Sequence, residues 1–206
     1  RVQRTENILI VGPAWIGAPG IWDGSAVPGG IGSMGEGVVV AILDTGINHA
    51  HPSFAAAGGD GYVHTNPLGS GIYIPGSYCV ANPGFCNDKL IGAWNMVNDP
   101  GDPNSPEDSA GHGSHTASTV AGNVVTSTLY GPTIAITGTI SGVAPHANII
   151  AYDVCIETCP GAALLAAVNQ AVVDAMALPN GLAALNYSIS GGTNPYNDPV
   201  ELAFLP

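Results

Sequence analysis

Two short stretches hold the side chains best suited to chemistry. Val38-Val39-Val40-Ala41-Ile42-Leu43-Asp44-Thr45-Gly46 is an apolar run that ends in a carboxylate. Gly111-His112-Gly113-Ser114-His115-Thr116-Ala117-Ser118 places a glycine-flanked imidazole at the head of a helical stretch. Imidazole titrates near neutral pH, with an ordinary pKa of about 6.5, so it can take the proton of a hydroxyl. A buried carboxylate beside it fixes the ring tautomer and stabilises the imidazolium that forms. Asp44 and His112 are thus the expected acid and base for activating a nucleophile. The glycines around His112 are expected to leave room for the ring and for substrate. Each residue alone has an ordinary alternative, since Asp before Thr-Gly makes turns and a histidine can cap a helix.

The elements that must position them alternate in type. Gly37 to Leu43 reads as a strand buried on both faces, and Leu90 to Met96 as another. A helix is expected over about His112 to Ala121, then a strand over Asn148 to Val154. Gly161 to Leu178 carries Leu164, Leu165, Val168, Ala171, Val172, Ala175 and Met176 at helical spacing. Leu182 to Ile189 reads as a further strand. This alternation predicts an α/β fold, a mainly parallel sheet with helices on both faces. The chain stops soon after a strand, so the sheet is expected to be incomplete at its C-terminal side. In open α/β sheets reactive groups gather at the carboxyl ends of strands. Asp44 ends the first strand, Ser188 to Gly192 ends the last, and His112 starts a helix near the same rim. Residues 1–36 read as an irregular lead-in and 37–206 as one unit. Within that unit His49 to Asp108 is polar and rich in Gly, Pro and Asn, and is expected to be an elaborated surface region because a connection of that length is unusual.

Composition narrows the function classes. The chain has 206 residues, 46% hydrophobic and only 9% charged, with a net charge of −12. Its cations are Arg1, Arg4 and Lys89. Nucleic acid and anionic membranes reward clustered Lys and Arg, so neither is an expected partner. No apolar run reaches the roughly 18–20 residues that cross a bilayer. Cys79 with Cys86, and Cys155 with Cys159, suggest two short-loop disulfides and an oxidising, secretory compartment. The competing four-thiolate zinc site lacks the C-x2-C spacing. Gly30 to Gly35 matches a dinucleotide-loop string but precedes a strand instead of following one, so it reads as a turn. His115 is read as a structural residue of its helix, and the His49-x-His51 pair as no zinc site. Asn98, Asp99, Asp102, Asn104, Glu107 and Asp108 offer hard oxygens that suit calcium, but without the EF-hand order, and a solvated acidic loop is preferred. The sequon Asn186-Tyr187-Ser188 falls in a strand expected to be buried, so no glycan is expected.

Here a resemblance becomes specific. Ala41-Ile42-Leu43-Asp44-Thr45-Gly46-Ile47 with His51-Pro52-Ser53-Phe54 resembles the aspartate motif of the subtilases, the subtilisin-like serine peptidases. Gly111 to Ser118 resembles their histidine motif, with His112 catalytic. Gly142-Val143-Ala144-Pro145 followed by Ile149-Ile150-Ala151-Tyr152 resembles their next core strand. Leu185-Asn186-Tyr187-Ser188-Ile189-Ser190-Gly191-Gly192 resembles the strand that forms a wall of the S1 pocket. Cys86 to Ala93 and the Val154-Cys155 stretch look closest to the larger secreted members. The order acid, then imidazole, agrees with an Asp-His-Ser triad. Two features depart from the pattern. No Gly-Thr-Ser string is present, and the separation of Asp44 from His112 exceeds that of the compact family members, which implies a loop-rich insertion at 55–108.

The resemblance implies a secreted serine endopeptidase that needs no cofactor, with calcium at most a structural ion. It implies a peptide or protein substrate held along Ser188, Ile189, Ser190, Gly191 and Gly192. The nucleophilic serine must come from the remainder of the catalytic domain, so these residues alone are expected to be inactive. Two other readings compete. An aspartic peptidase also uses Asp-Thr-Gly, but needs two such carboxylates, and this chain has one such string. A pseudo-peptidase, a binding or scaffold protein on the same fold, accounts for the missing serine motif.

Overall fold

The computed structural model describes residues 8–97, 104–190, 194 and 196–204. In chain order its elements are α1 (Ile8–Trp15), α2 (Ala18–Trp22), β1 (Val39–Asp44), α3 (Tyr78–Ala81), β2 (Leu90–Asn95), α4 (His112–Ala121), β3 (Val125–Tyr130), β4 (Ala135–Ile140), β5 (Asn148–Asp153), α5 (Gly161–Ala177), β6 (Ala184–Tyr187) and α6 (Pro199–Ala203). Strands β1, β2, β5 and β6 pair in parallel in the spatial order β2-β5-β1-β6. The apolar runs 39–44 and 148–153 become the two inner strands, buried at every position. Such runs suit a sheet covered on both faces.

Alternate residues of each inner strand feed two separate cores. Val39, Ala41, Leu43, Ile150 and Tyr152 meet Ala163, Leu164, Ala167, Val168 and Ala171 of α5. Val40, Ile42, Ile149 and Ala151 face Ala117 and Ala121 of α4, together with Phe54, Cys79 and Phe85. Helices thus cover both faces, as the alternation predicts. Each fully buried Ile or Leu contributes about 1.5–3 kcal/mol of transfer free energy.

One buried acid ties the α5 layer to the sheet. Asp174 of α5 is buried, and its Oδ2 accepts from the Tyr152 hydroxyl at 2.6 Å and from Trp94 Nε1 at 2.7 Å. Its Oδ1 accepts from Gln170 Nε2 at 2.8 Å. Burial first, and then the Asp174 charge, push the Tyr152 phenol up, so it stays a donor.

The amino edge of the sheet holds a second polar cluster. Lys89, just before β2, is fully buried and donates to the carbonyls of Pro145 and Ala147 at 2.9 and 3.0 Å. His64 Nε2 lies 2.8 Å from Asn123 Oδ1, and His146 bridges Glu36 and Asp60 at 2.5 and 2.8 Å. Burial lowers Lys89 to about 7. Burial and then the Lys89 charge lower His64 to about 4.

Several elements differ from the sequence expectation. The lead-in is not wholly irregular: Ile8–Trp15 and Ala18–Trp22 are helical, and Trp22 Nε1 donates to Val143 O at 2.9 Å. Pro19 is tolerated because it sits in the first turn of α2, where its missing N–H has no helical partner. An antiparallel hairpin, β3 with β4, occupies 125–140, where no element is expected. Strand β6 covers only Ala184–Tyr187 and is half-exposed instead of buried, because it lies at the sheet edge with β1 as its neighbour. Within 55–108, β2 belongs to the main sheet, while α3 and a 3-10 turn at Pro83–Phe85 bracket the Cys79–Cys86 disulfide. A second disulfide joins Cys155 to Cys159 ahead of α5.

Two stability outcomes follow from the buried polar groups. Asp174→Ala strands the Tyr152 and Trp94 donors in the core, so it should lower stability by about 3 kcal/mol in urea unfolding, whereas Tyr152→Phe should cost about 1 kcal/mol. The unfolded chain protonates His64 near 6.5 and the folded chain only near 4, so stability should fall as pH drops through that window. His64→Gln, which keeps a donor for Asn123, should remove on the order of 2 kcal/mol of that pH-dependent loss, read from unfolding midpoints between pH 7 and 4.

Candidate active site

Asp44 is the last residue of β1 and only 1% exposed. Its Oδ1 accepts from the Thr45 backbone N–H at 2.8 Å and lies 2.7 Å from Nδ1 of His112. Its Oδ2 accepts from the Thr116 hydroxyl at 3.1 Å. An ionised carboxylate only accepts, so Nδ1 of His112 carries the proton and Nε2 is the basic position of the neutral ring. His112 opens α4 with a side chain 55% exposed, and Nε2 has no hydrogen-bond partner among the described residues. The pair therefore presents one basic nitrogen to the surface and anchors the other on a buried charge.

The local sequence explains why α4 begins at this point. Gly111 adopts a left-handed φ of +86° ahead of the first turn. The N–H of Gly113 donates to Thr45 Oγ1 at 2.8 Å and that of Ser114 to Asp108 Oδ2 at 2.7 Å, which satisfies two orphan helix donors. A Cβ on Gly113 would lie 2.2 Å from the Gly46 carbonyl oxygen. Gly113 thus has a task the sequence expectation did not include: it is needed for the close approach of α4 to the turn after β1. Gly46, at φ +95°, is under a similar constraint, since a Cβ there would lie 2.6 Å from Pro106 O.

The expected substrate strand reaches the same rim. Leu43 of β1 is in register with Tyr187 of β6, so Ser188 leaves the sheet beside Asp44. Ser188 and Ser190 are exposed and Ile189 is half-buried, while Gly191 and Gly192 lie outside the described residues. Tyr187, Ile189 and Ser190 line a largely apolar cavity of about 590 Å3 with Leu164, Leu165 and Val200. Sequence periodicity treats Leu164 and Leu165 as helix packing and misses their second role as cavity wall. It also misses Thr45, Thr116, Asp108 and Ser114. The signal for Thr116 is its place one helical turn after His112.

Other candidate residues have separate roles. His49 Nδ1 lies 2.5 Å from Glu107 Oε2, and its ring stacks on Phe85. His51 Nδ1 accepts from the Ser53 N–H at 3.2 Å, which starts a 3-10 turn. His115 is exposed on α4. Of the acidic stretch considered for calcium, 98–103 lies outside the described residues. Glu107 is committed to His49, and Asp108 to five protein donors. The sequon residue Asn186 is half-buried in β6, with Nδ2 donating to Ser188 Oγ at 3.0 Å.

Comparison with known proteins gives the chain a family. A family model described as the Subtilase family matches residues 35–203. Subtilisin-like protease SBT2.1 of Arabidopsis thaliana is 33% identical over 218 aligned positions, covering 94% of this chain and 24% of that protein. Subtilisin-like protease SBT1.4 of the same plant is 37% identical over 186 positions, covering 79% of this chain and 21% of that protein. The chain thus spans about a quarter of the length of the curated relatives it matches. The family match begins just ahead of β1 and runs through α6, enclosing both halves of the acid–imidazole pair, and this chain belongs to the Subtilase family.

Proposed function

We propose that this chain supplies the acid–base half of a secreted serine endopeptidase of the subtilisin type. The observation that carries the reading is the 2.7 Å contact of buried Asp44 with Nδ1 of His112, which leaves Nε2 directed to the surface. A serine contributed by sequence outside these residues would give its hydroxyl proton to Nε2 as its oxygen attacks the peptide carbonyl carbon. Asp44 would hold the imidazolium in place. His112 would then return the proton to the departing amine, leaving an acyl-enzyme that water hydrolyses with His112 again as base. Substrate would lie extended along Ser188 to Gly192, pairing backbone to backbone, with a side chain reaching the apolar cavity against α5. These steps need no cofactor, and calcium would be a structural ion. The two disulfides and the acidic, cation-poor composition support an extracellular setting.

Without the nucleophile such a triad loses about 10⁶-fold in kcat, so the 206 residues alone are inactive. A fluorophosphonate probe should therefore leave this chain unlabelled and should label the full-length protein on a serine outside it. A labelled fragment would reveal a nucleophile elsewhere, and a folded full-length protein that resists labelling would favour a binding protein on the same fold. In the full-length enzyme, Asp44→Asn should lower kcat by about 10⁴ with KM little changed, because the amide favours the wrong imidazole tautomer.

A further inference from the structure

Asp108 sits between β1 and α4, and none of its hydrogen bonds is to Asp44 or to the His112 side chain. Its Oδ1 accepts from Thr45 Oγ1 at 2.8 Å and from the backbone N–H groups of Ala110 and Gly111 at 3.1 and 2.7 Å. Its Oδ2 accepts from the N–H of Ser114 at 2.7 Å and from the Ser114 hydroxyl at 2.6 Å. A carboxylate accepts only, so both hydroxyl protons must point at Asp108. The lone pairs of the two hydroxyls are then turned outward, and each receives a donor from the opposite segment. Thr45 Oγ1, at the end of β1, accepts the N–H of Gly113 in α4 at 2.8 Å. Ser114 Oγ, in α4, accepts the N–H of Asn48 in the turn after β1 at 2.9 Å. One carboxylate thereby crosslinks strand and helix twice, in opposite directions. Thr45 directly follows Asp44, and Gly113 directly follows His112.

We propose that Asp108 is a positioning residue that holds Asp44 and His112 in register by fixing the direction of the Thr45 and Ser114 hydroxyl bonds. This rests on the reading of those two residues as the catalytic acid and base. The charge matters as well as the shape. An amide at 108 would turn an NH2 group toward one pair of donors, so one hydroxyl would have to reverse and release its backbone N–H. The helix N-terminus would also lose the negative charge that its dipole favours. Strand end and helix head would then be free to shift, and a misplacement of about 1 Å in a catalytic array can cost roughly 10²-fold in rate.

The test compares Asp108→Asn, Thr45→Val and Thr45→Ser in the full-length protein and in this chain. In the full-length protein, Asp108→Asn and Thr45→Val should lower kcat by roughly 10- to 100-fold with KM within about twofold, while Thr45→Ser, which keeps the hydroxyl, should restore it. In this chain, which needs no nucleophile for the measurement, proton NMR should show a downfield Nδ1–H resonance of His112, assigned by its loss in His112→Ala. That resonance should survive Thr45→Ser and disappear or move upfield in the other two variants. The inference is overturned if folded Asp108→Asn and Thr45→Val proteins keep both kcat and the resonance, or if Thr45→Ser is as damaging as Thr45→Val. Should Asp108→Asn fail to fold, the Thr45 pair probes the same bonds from the other end. A full-length protein without peptidase activity defeats the functional reading alone, since the resonance in this chain still decides the role of Asp108.

Discussion

A carboxylate at the end of a fully buried strand is the constraint around which this molecule is arranged. Asp44 has almost no contact with solvent, and an ionised group taken out of water is tolerated only when its oxygens are filled by donors. Three groups fill them: the Thr45 amide from the same strand end, and His112 and Thr116 from one face of α4. The helix is therefore required by the acid as much as by the core. Because the donor set includes an imidazole, the contact that makes the charge tolerable also gives the imidazole a fixed tautomer. Stability and the proposed chemistry rest on one contact.

That requirement shapes α4. Gly113, Ala117 and Ala121 recur at four-residue spacing along the buried face, and the remaining positions are mostly Ser, Thr, His and Val. Few of these are strong helix formers, and ten residues is below the length at which isolated helices persist. The helix is held by what it touches. Small residues let it approach β1 closely, and hydroxyls replace the long side chains that would keep it away. The same economy runs through the whole chain. Lys89, the one Lys or Arg among the described residues, is fully buried against backbone carbonyls, so the acids described here take their donors from other groups. Asp44, Asp108 and Asp174 are satisfied by amides, hydroxyls, indole and imidazole, and Glu36, Asp60 and Glu107 by histidine. Acid–histidine contacts serve here as both structure and site, so a close Asp–His pair alone does not mark the reactive one. Burial of the acid combined with exposure of the ring does: His146 has both nitrogens occupied by carboxylates and the Glu107 facing His49 is itself part-exposed, whereas His112 joins a buried carboxylate through a half-exposed ring.

The parts legible in the sequence were those written in local pattern. The apolar runs at 39–44 and 148–153, the helical spacing in 161–177 and the glycine-punctuated start of α4 each specify an element from nearby residues. The hairpin at 125–140 has a local signature too, in β-branched residues on both sides of Gly131-Pro132. Other features are not local. Asp174 gains its meaning only when α5 packs on β5 and β2, which brings Tyr152 and Trp94 to it. Asp108 looks like one more acid in a polar loop until its distant partners Thr45 and Ser114 are placed. The packing role of Gly113 is likewise set by a carbonyl far away in sequence, so its immediate neighbours do not reveal it.

The two edges of the sheet differ in how well they suit the proposed chemistry. At the amino edge, Lys89 and His64 are enclosed, and their donors are spent on the carbonyls that precede β5 and on Asn123. Both have depressed proton affinities, yet neither has access to an incoming molecule. At the carboxyl edge, β1 and β6 end side by side, and the chain leaves the sheet through exposed serines next to an exposed imidazole. A perturbed pKa is therefore a poor guide here, because the strongest perturbations mark burial. Access combined with a fixed proton is the better criterion, and among the histidines described above His112 has one nitrogen bound to a buried carboxylate and the other open to solvent.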